Sequence, residues 1–297
     1  MSNYAAEFED YLRNTKSVSS NTAVSYLRDL RSFLEFCSQN GCADPAEATT
    51  GFVSKYVEYL NDKKKSNATV RRCVSSIRCF YGFLLINGTA SKNPASQVVL
   101  EKLSTKFPQI LNGNETKQLL AQPDIITPKG CRDKAMLELL YATGIRVSEL
   151  TALNVDDLDL KSGVLRCHSS KICREVPVYP AALEALSDYL LRVRPKIVSP
   201  ESGQALFLSL NSRRITRQGF WKIVKQYAHQ ANIAKEITPH TLRHSFALHL
   251  LENGAELKDI QMMLGHADIS STQIYLRMMN DHFKEVYNHC HPRAKLS

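Results

Sequence analysis

Apolar residues recur at helical spacing along almost the whole of this chain, and that pattern limits it to a mainly helical fold. In "NTAVSYLRDLRSFLEFC", Val24, Leu27, Leu30, Phe33, Leu34 and Phe36 fall at roughly the 3.6-residue period of one helical face. "TTGFVSKYVEYLND" and "NATVRRCVSSIRCFYGFLLING" behave the same way. Asn21 and Asn67 are expected N-caps, and Gly41 and Gly88 expected stops. A bundle of about four helices is therefore expected for the first part of the chain.

The character of the sequence changes at "NPASQVVLEKLSTKFPQILNGNE", where Pro94 and Pro108 bracket a polar stretch. We place a domain boundary there, giving an N-terminal helical domain over 1–104 and a second domain over 105–297. The second domain is mixed. "CRDKAMLELLYATG" is an amphipathic helix ended by Gly144, and "GVLRCHSSKICREVPVYP" reads as a β-hairpin, two short strands around a polar turn. Further helices are expected at "AALEALSDYLLRVRP", "TRQGFWKIVKQYAHQAN", "TPHTLRHSFALHLLENG", "ELKDIQMMLGH" and "SSTQIYLRMMNDHFKEVYNH". The expected class is mainly α: a helical bundle, then a mostly helical domain carrying a small antiparallel β-sheet.

A formal net charge of +9 points to a polyanionic partner, nucleic acid before an anionic membrane. No apolar run approaches the roughly 20 residues of a membrane span. The N-terminal "MSNYAAEFEDYLRNTK" holds acidic residues and no apolar signal core, so a cytoplasmic location is expected. None of the eight cysteines forms a C-x-x-C pair, which fits reduced, mostly structural thiols.

"TPHTLRHSFALHLL" places His240 and His244 four residues apart on a helix, the spacing of two zinc ligands. A metalloprotease helix would need a glutamate where Thr241 stands, and Arg243 between the histidines would oppose a dication. No metal is expected. An anion suits the segment better: Thr238 can cap the helix, Pro239 fits its first turn, and His240 and Arg243 lie close to its positive end. These residues alone leave a solvated basic turn equally open. Company decides: Arg146 follows the helix-ending Gly144, His266 follows Gly265, and Tyr275 stands nine residues beyond His266. Ser270 and Gln273 are spaced as a capping box, which puts Tyr275 in the first turns of a helix.

The ordered set "TGIRVSEL", "TPHTLRH", "LGH" and "ISSTQIY" resembles the tyrosine recombinase (phage integrase) family, and within it the Xer site-specific recombinases. The resemblance covers nearly the whole chain. It implies a DNA-binding, core-binding domain over 1–104 and a catalytic domain over 105–297, with no cofactor. It implies that Arg146 and Arg243 hold the scissile phosphate, a task that suits a planar, permanently charged guanidinium. His240 would assist proton transfer with the tyrosine, His266 would hydrogen-bond the phosphate, and Tyr275 would attack it to give a 3′-phosphotyrosyl intermediate. Xer sequences have a glycine- and lysine-rich hairpin turn, whereas here "CHSSKICREVP" is shorter and lacks the glycines. Lys171 is the one lysine of that turn and is assigned the part of general acid. Lys64, Arg71, Arg72 and Arg78 in the first domain, and Arg214, Arg217 and Lys222 in the second, are candidate contacts to duplex DNA. The resemblance further implies a homo- or hetero-tetramer on two recombination sites, joined by exchange of the C-terminal segment. Met278, Phe283, Val286 and Tyr287 form the apolar face of that segment. The expected role is resolution of chromosome or plasmid dimers. A mobile-element integrase, a topoisomerase-like enzyme and a DNA-binding protein without cleavage are the alternatives.

Overall fold

The computed structural model describes residues 2–100, 107–168, 173–266 and 268–280. The chain divides into two compact units, 1–105 and 106–297. The boundary read from the sequence, between 104 and 105, falls outside the described residues, as does Lys171 in the hairpin turn.

The first unit holds α1 (Ser2–Asp10), α2 (Ser20–Gln39), α3 (Thr50–Asp62) and α4 (Asn67–Ile86). The caps lie just upstream of the expected asparagines. Ser19 and Ser66 adopt extended backbone, and their hydroxyls accept from the N–H groups of Thr22 and Thr69. Gly41 and Gly88 stand beyond the ends of α2 and α4 with φ of 76° and 68°, where the chain turns away from the helix. Phe8, Phe33, Tyr56, Phe80 and Tyr81 are fully buried and pack edge-on and tilted against one another. One polar tie crosses this core: buried Asp29 on α2 accepts from Ser76 Oγ and pairs with Arg72, both on α4.

The second unit begins with α5 (Gly113–Ala121), α6 (Pro128–Thr143) and α7 (Val147–Ala152). Strands β1 (Leu158–Asp159), β2 (Val164–His168) and β3 (Cys173–Pro177) form one antiparallel sheet in that order. The expected hairpin is β2–β3, with Leu165 opposite Val176 and Cys167 opposite Arg174, and β1 adds a third strand. Then come α8 (Pro180–Asp188), α9 (Arg194–Ile197), α10 (Arg217–Gln230), α11 (Pro239–Glu252) and α12 (Leu257–Leu264), with residues 273–280 again helical. Buried α6 packs against α8 and α11 and forms the spine of this unit. Its few interior charges are paired: Arg132 donates to Asp133 and to Leu208 O, and Tyr227 donates to Asp133. The seven described cysteines are free thiols. No helix among the described residues is long and apolar enough to cross a membrane.

Candidate active site

Two helix ends stop abruptly and face the start of a third. α6 ends at Gly144 (φ 58°) and α12 at Gly265 (φ 62°), both in the left-handed region. A Cβ on Gly144 would lie 2.2 Å from the Phe246 ring, and one on Gly265 2.8 Å from Arg174 Nη1, so only glycine fits either place. Helix C-termini carry carbonyls without intrahelical partners and hence partial negative charge. Arg243, one turn into α11, lies between them. Its Nη1 donates to Gly144 O, and its Nη2 donates to Leu264 O at 2.7 Å. The side chain is only 4% exposed. Burial, then the neighbouring Arg146 charge, lowers its pKa to about 10.

Arg146 stands at the N-cap of α7, where Nη2 donates to Gly265 O at 3.2 Å. The carboxylate that holds it is Glu149, one turn on. Glu149 accepts from the Arg146 main-chain N–H at 2.8 Å and from its guanidinium at 3.3 Å. It also takes a two-pronged pair of 2.9 Å bonds from Arg174 on β3. Burial works to raise the Glu149 pKa, but these bonds and both positive charges outweigh it and hold it below the usual carboxylate range. Arg174 in turn donates to Met263 O near the end of α12. The hairpin, α7 and α12 are thus joined through one buried carboxylate. Glu149→Gln keeps the shape and removes the charge. We expect it to destabilise the chain by about 1–3 kcal/mol in urea unfolding and to slow any phosphate chemistry through loss of Arg146 alignment. An unchanged unfolding midpoint would refute this bracing role.

His266 follows Gly265 directly. Its Nε2 lies 3.0 Å from Arg243 Nη2, and its Nδ1 2.9 Å from Thr272 Oγ1. A guanidinium can only donate, so Nε2 is the acceptor and Nδ1 carries the proton. Burial, then the fields of Arg243 and Arg146, lowers the His266 pKa to about 4, and the ring is neutral. His240, in the first turn of α11, is open to solvent on one side. Partial burial and the charges of Arg243, Arg217 and Arg146 keep its pKa below the ordinary imidazole value. It borders a cavity of about 540 Å³ with Arg217 and Trp221 of α10. His240 and His244 do not converge as a ligand pair would: His244 Nδ1 meets the Tyr275 hydroxyl at 2.9 Å. Among the described residues, no group of three or more His, Cys, Asp or Glu is placed to hold a metal ion.

Tyr275 is 1% exposed and packs with Phe246, Leu251, Ile260, Leu264 and Met278. Burial raises its pKa, opposed by the Arg243 charge. The cap upstream differs from the expected one. Asp268 accepts from the Ser270 N–H and hydroxyl and starts a short 3-10 turn, Ile269–Ser271, so Ser270 is not the residue that caps. The structure therefore brings Arg146, Arg243, His266 and Tyr275 together, with His240 at the rim. Glu149, Arg174 and Thr272 join them without having been singled out in the sequence, and His244, read there as a packing or supporting residue once the metal pair was set aside, is the residue on the tyrosine.

The basic surface candidates divide. Arg78 donates to Ala95 O and Val98 O, Arg72 pairs with Asp29, and Arg214 donates to Thr151 O, Leu153 O and Asn154. Those guanidinium groups are engaged within the protein. Lys64, Arg217 and Lys222 are exposed, and Arg71 is half-buried.

Comparison with known proteins gives a consistent picture. Residues 109–282 match the phage integrase family, and residues 5–88 match the phage integrase N-terminal SAM-like domain. The chain is 39% identical over 295 residues to tyrosine recombinase XerD of Staphylococcus epidermidis, covering 99% of this chain and 100% of that one. It is 44% identical over 303 residues to tyrosine recombinase XerD of Oceanobacillus iheyensis, again covering 99% and 100%. Among solved structures, XerA recombinase is 26% identical with a TM-score of 0.55, over 98% of this chain and 99% of that one. XerH site-specific recombinase bound to its difH substrate shares the fold, with 20% identity, a TM-score of 0.71 and coverage of 91% and 80%.

Proposed function

We propose, since this chain belongs to the phage integrase family and is a Xer-type tyrosine site-specific recombinase, that the cluster around Arg243 is where a DNA phosphate is broken and rejoined. One observation carries the reading: two guanidinium groups, a neutral histidine and a buried tyrosine, from four separated stretches of chain, meet around the ends of α6 and α12. A guanidinium has more N–H groups than the bonds described above use, so Arg146 and Arg243 retain donors for phosphate oxygens. His266, to which the resemblance gives a hydrogen bond to the phosphate, has both ring nitrogens on Arg243 and Thr272 and so acts on the phosphate through Arg243, while His240 at the rim keeps the part of assisting proton transfer with the tyrosine. Tyr275 Oη attacks the phosphorus, the bond to the 5′ oxygen breaks, and a 3′-phosphotyrosyl link preserves the bond energy. The freed 5′ hydroxyl of one strand then attacks the link on its partner. Fixed positive charges stabilise the transition state without reorganising at the moment of reaction.

The duplex is the partner, and Lys64, Arg71, Arg72, Arg78, Arg214, Arg217 and Lys222 are the cations we assign to its phosphates. We assign the first unit to core binding and the second to catalysis. Four copies would assemble on two sites by exchanging C-terminal segments; Phe283, Val286 and Tyr287 of that face lie outside the described residues. We favour dimer resolution on chromosomes or plasmids, in the cytoplasm, over mobile-element integration. Nicked duplexes carrying each kind of site test the reading, since only a cognate site traps the protein covalently; absence of an adduct on every site would favour binding without cleavage.

Lys171 is proposed as the acid for the departing 5′ oxygen. Lys171→Ala should slow adduct formation by about 10²-fold or more with little change in duplex affinity. Cleavage at the wild-type rate would dismiss the assignment.

A further inference from the structure

We infer that Cys173 is an activated thiol that takes a small thiol compound in disulfide linkage, and that this reversible cap stops DNA cleavage. The site itself is independent of the strand-transfer reading; its effect on cleavage rests on that reading.

Three side chains line up at the root of the β2–β3 hairpin. Asp157 Oδ1 lies 3.1 Å from His168 Nε2, and His168 Nδ1 lies 3.6 Å from Cys173 Sγ. One neutral tautomer satisfies both contacts: Nε2 carries the proton and donates it to the carboxylate, so the Nδ1 lone pair faces the thiol. The other Asp157 oxygen accepts the Asn154 main-chain N–H at 2.8 Å, which fixes the carboxylate. His168 and Cys173 are partners across the sheet, so the strand pairing holds imidazole and thiol side by side. Of the seven described cysteines, five are buried, Cys42 is half-buried and Cys173 alone is exposed. A buried structural thiol is inert, whereas an exposed one beside a base that a third group orients is arranged as a nucleophile.

The step balances. His168 Nδ1 takes the thiol proton, and the Cys173 sulfur attacks one sulfur of a small disulfide. The new S–S bond forms, the old one breaks, and the departing thiolate takes the proton from the imidazolium. Cys173 is oxidised, the half that leaves is reduced, and a small thiol reverses the exchange. The surroundings leave room for the cap and connect it to the site. Cys173 lines a cavity of about 870 Å³ together with Arg174, Met262, Met263, Gly265 and His266. A group bonded to Cys173 therefore fills space that ends on the histidine bonded to Arg243. Arg174, the next residue, joins β3 to Glu149 and to Met263 O, so the cap also sits beside the joint that aligns Arg146. Displacing a reacting group by about 1 Å costs about 10²-fold in rate.

The test exposes the full chain to excess oxidised glutathione and follows each cysteine by peptide mass spectrometry. Cys173 should form the mixed disulfide about 10-fold or more faster in the folded chain than in the same chain unfolded in urea, whereas folding slows the buried thiols. His168→Gln, at a side chain 61% exposed and so of little weight in folding, should remove that advantage. Asp157→Asn, whose amide oxygen still accepts the Asn154 N–H, should reduce it. A folded rate equal to or below the unfolded one, or an advantage that survives His168→Gln, would overturn the activation. The second readout is cleavage of a nicked duplex carrying a chromosomal dimer-resolution site. The capped chain should form the phosphotyrosyl adduct about 10-fold or more slowly and recover in dithiothreitol, and Cys173→Ser treated alike should lose nothing. Full cleavage by a chain capped at Cys173 would overturn the control. An untreated chain that forms no adduct would remove the strand-transfer reading instead, and the folded-to-unfolded rate ratio would still decide the site.

Discussion

Tyr275→Phe should abolish the covalent DNA adduct and leave duplex affinity and folding almost intact. The ring of Tyr275 fills a closed space between Phe246, Leu251, Ile260, Leu264 and Met278, and phenylalanine fills it equally well. The substitution removes one oxygen and its bond to His244. A single hydrogen bond of this kind contributes about 1 kcal/mol net, so the variant should melt within a few degrees of the parent. The nearby Thr272 hydroxyl is already bonded to His266 Nδ1. The adduct should therefore fall to background on a labelled nicked duplex run in denaturing gels, while anisotropy on the same duplex stays the same. An adduct that persists in Tyr275→Phe would place the nucleophile elsewhere.

Arg243→Lys should damage both stability and chemistry, although charge is conserved. The guanidinium donates in several directions at once, to Gly144 O, Leu264 O and His266 Nε2. A lysine ammonium is a compact point charge on a flexible stem and cannot reproduce that planar fork. The α6 and α12 carbonyls would lose their partner in a site only 4% exposed, where an unsatisfied polar group costs about 1–3 kcal/mol. We expect a drop of about 2–4 kcal/mol in urea unfolding, and adduct formation slowed by about 10²–10³-fold, the usual effect of removing one preorganised donor from a transition state. A rate within a few-fold of wild type, at unchanged stability, would show that position 243 needs charge alone.

Much of the fold was legible because its helices are long and amphipathic. The apolar period located α2, α3, α4, α6, α10, α11 and α12, and Gly144 and Gly265 ended their helices as expected. Caps were less legible. A serine just before an asparagine competes for the same role, and Ser19 and Ser66 won because each hydroxyl reaches an N–H three residues on. Six-residue α7 is too short to show periodicity, while α5 carried an unread signal, the reciprocal Asn112 and Glu115 capping box. For the site, spacing alone left "TPHTLRH" undecided, and only the ordered family motifs joined it to Arg146, His266 and Tyr275. Contacts between distant stretches were invisible. Nothing in "CREVP" says that Arg174 grips Glu149, 25 residues away, and nothing near His244 says that its ring meets a tyrosine 31 residues later.

Arg243 lies in the interior with backbone carbonyls and a histidine as its hydrogen-bond partners, and with no carboxylate bonded to it among the described residues. The same charge depresses His240, His244 and His266. A protein that keeps a cation indoors folds against it when alone and with its help when an anion sits alongside. Occupancy and conformational stability are then one equilibrium seen from two sides. Binding to duplex DNA should therefore raise the melting temperature of the chain and slow its proteolysis, and a scan with and without duplex checks both.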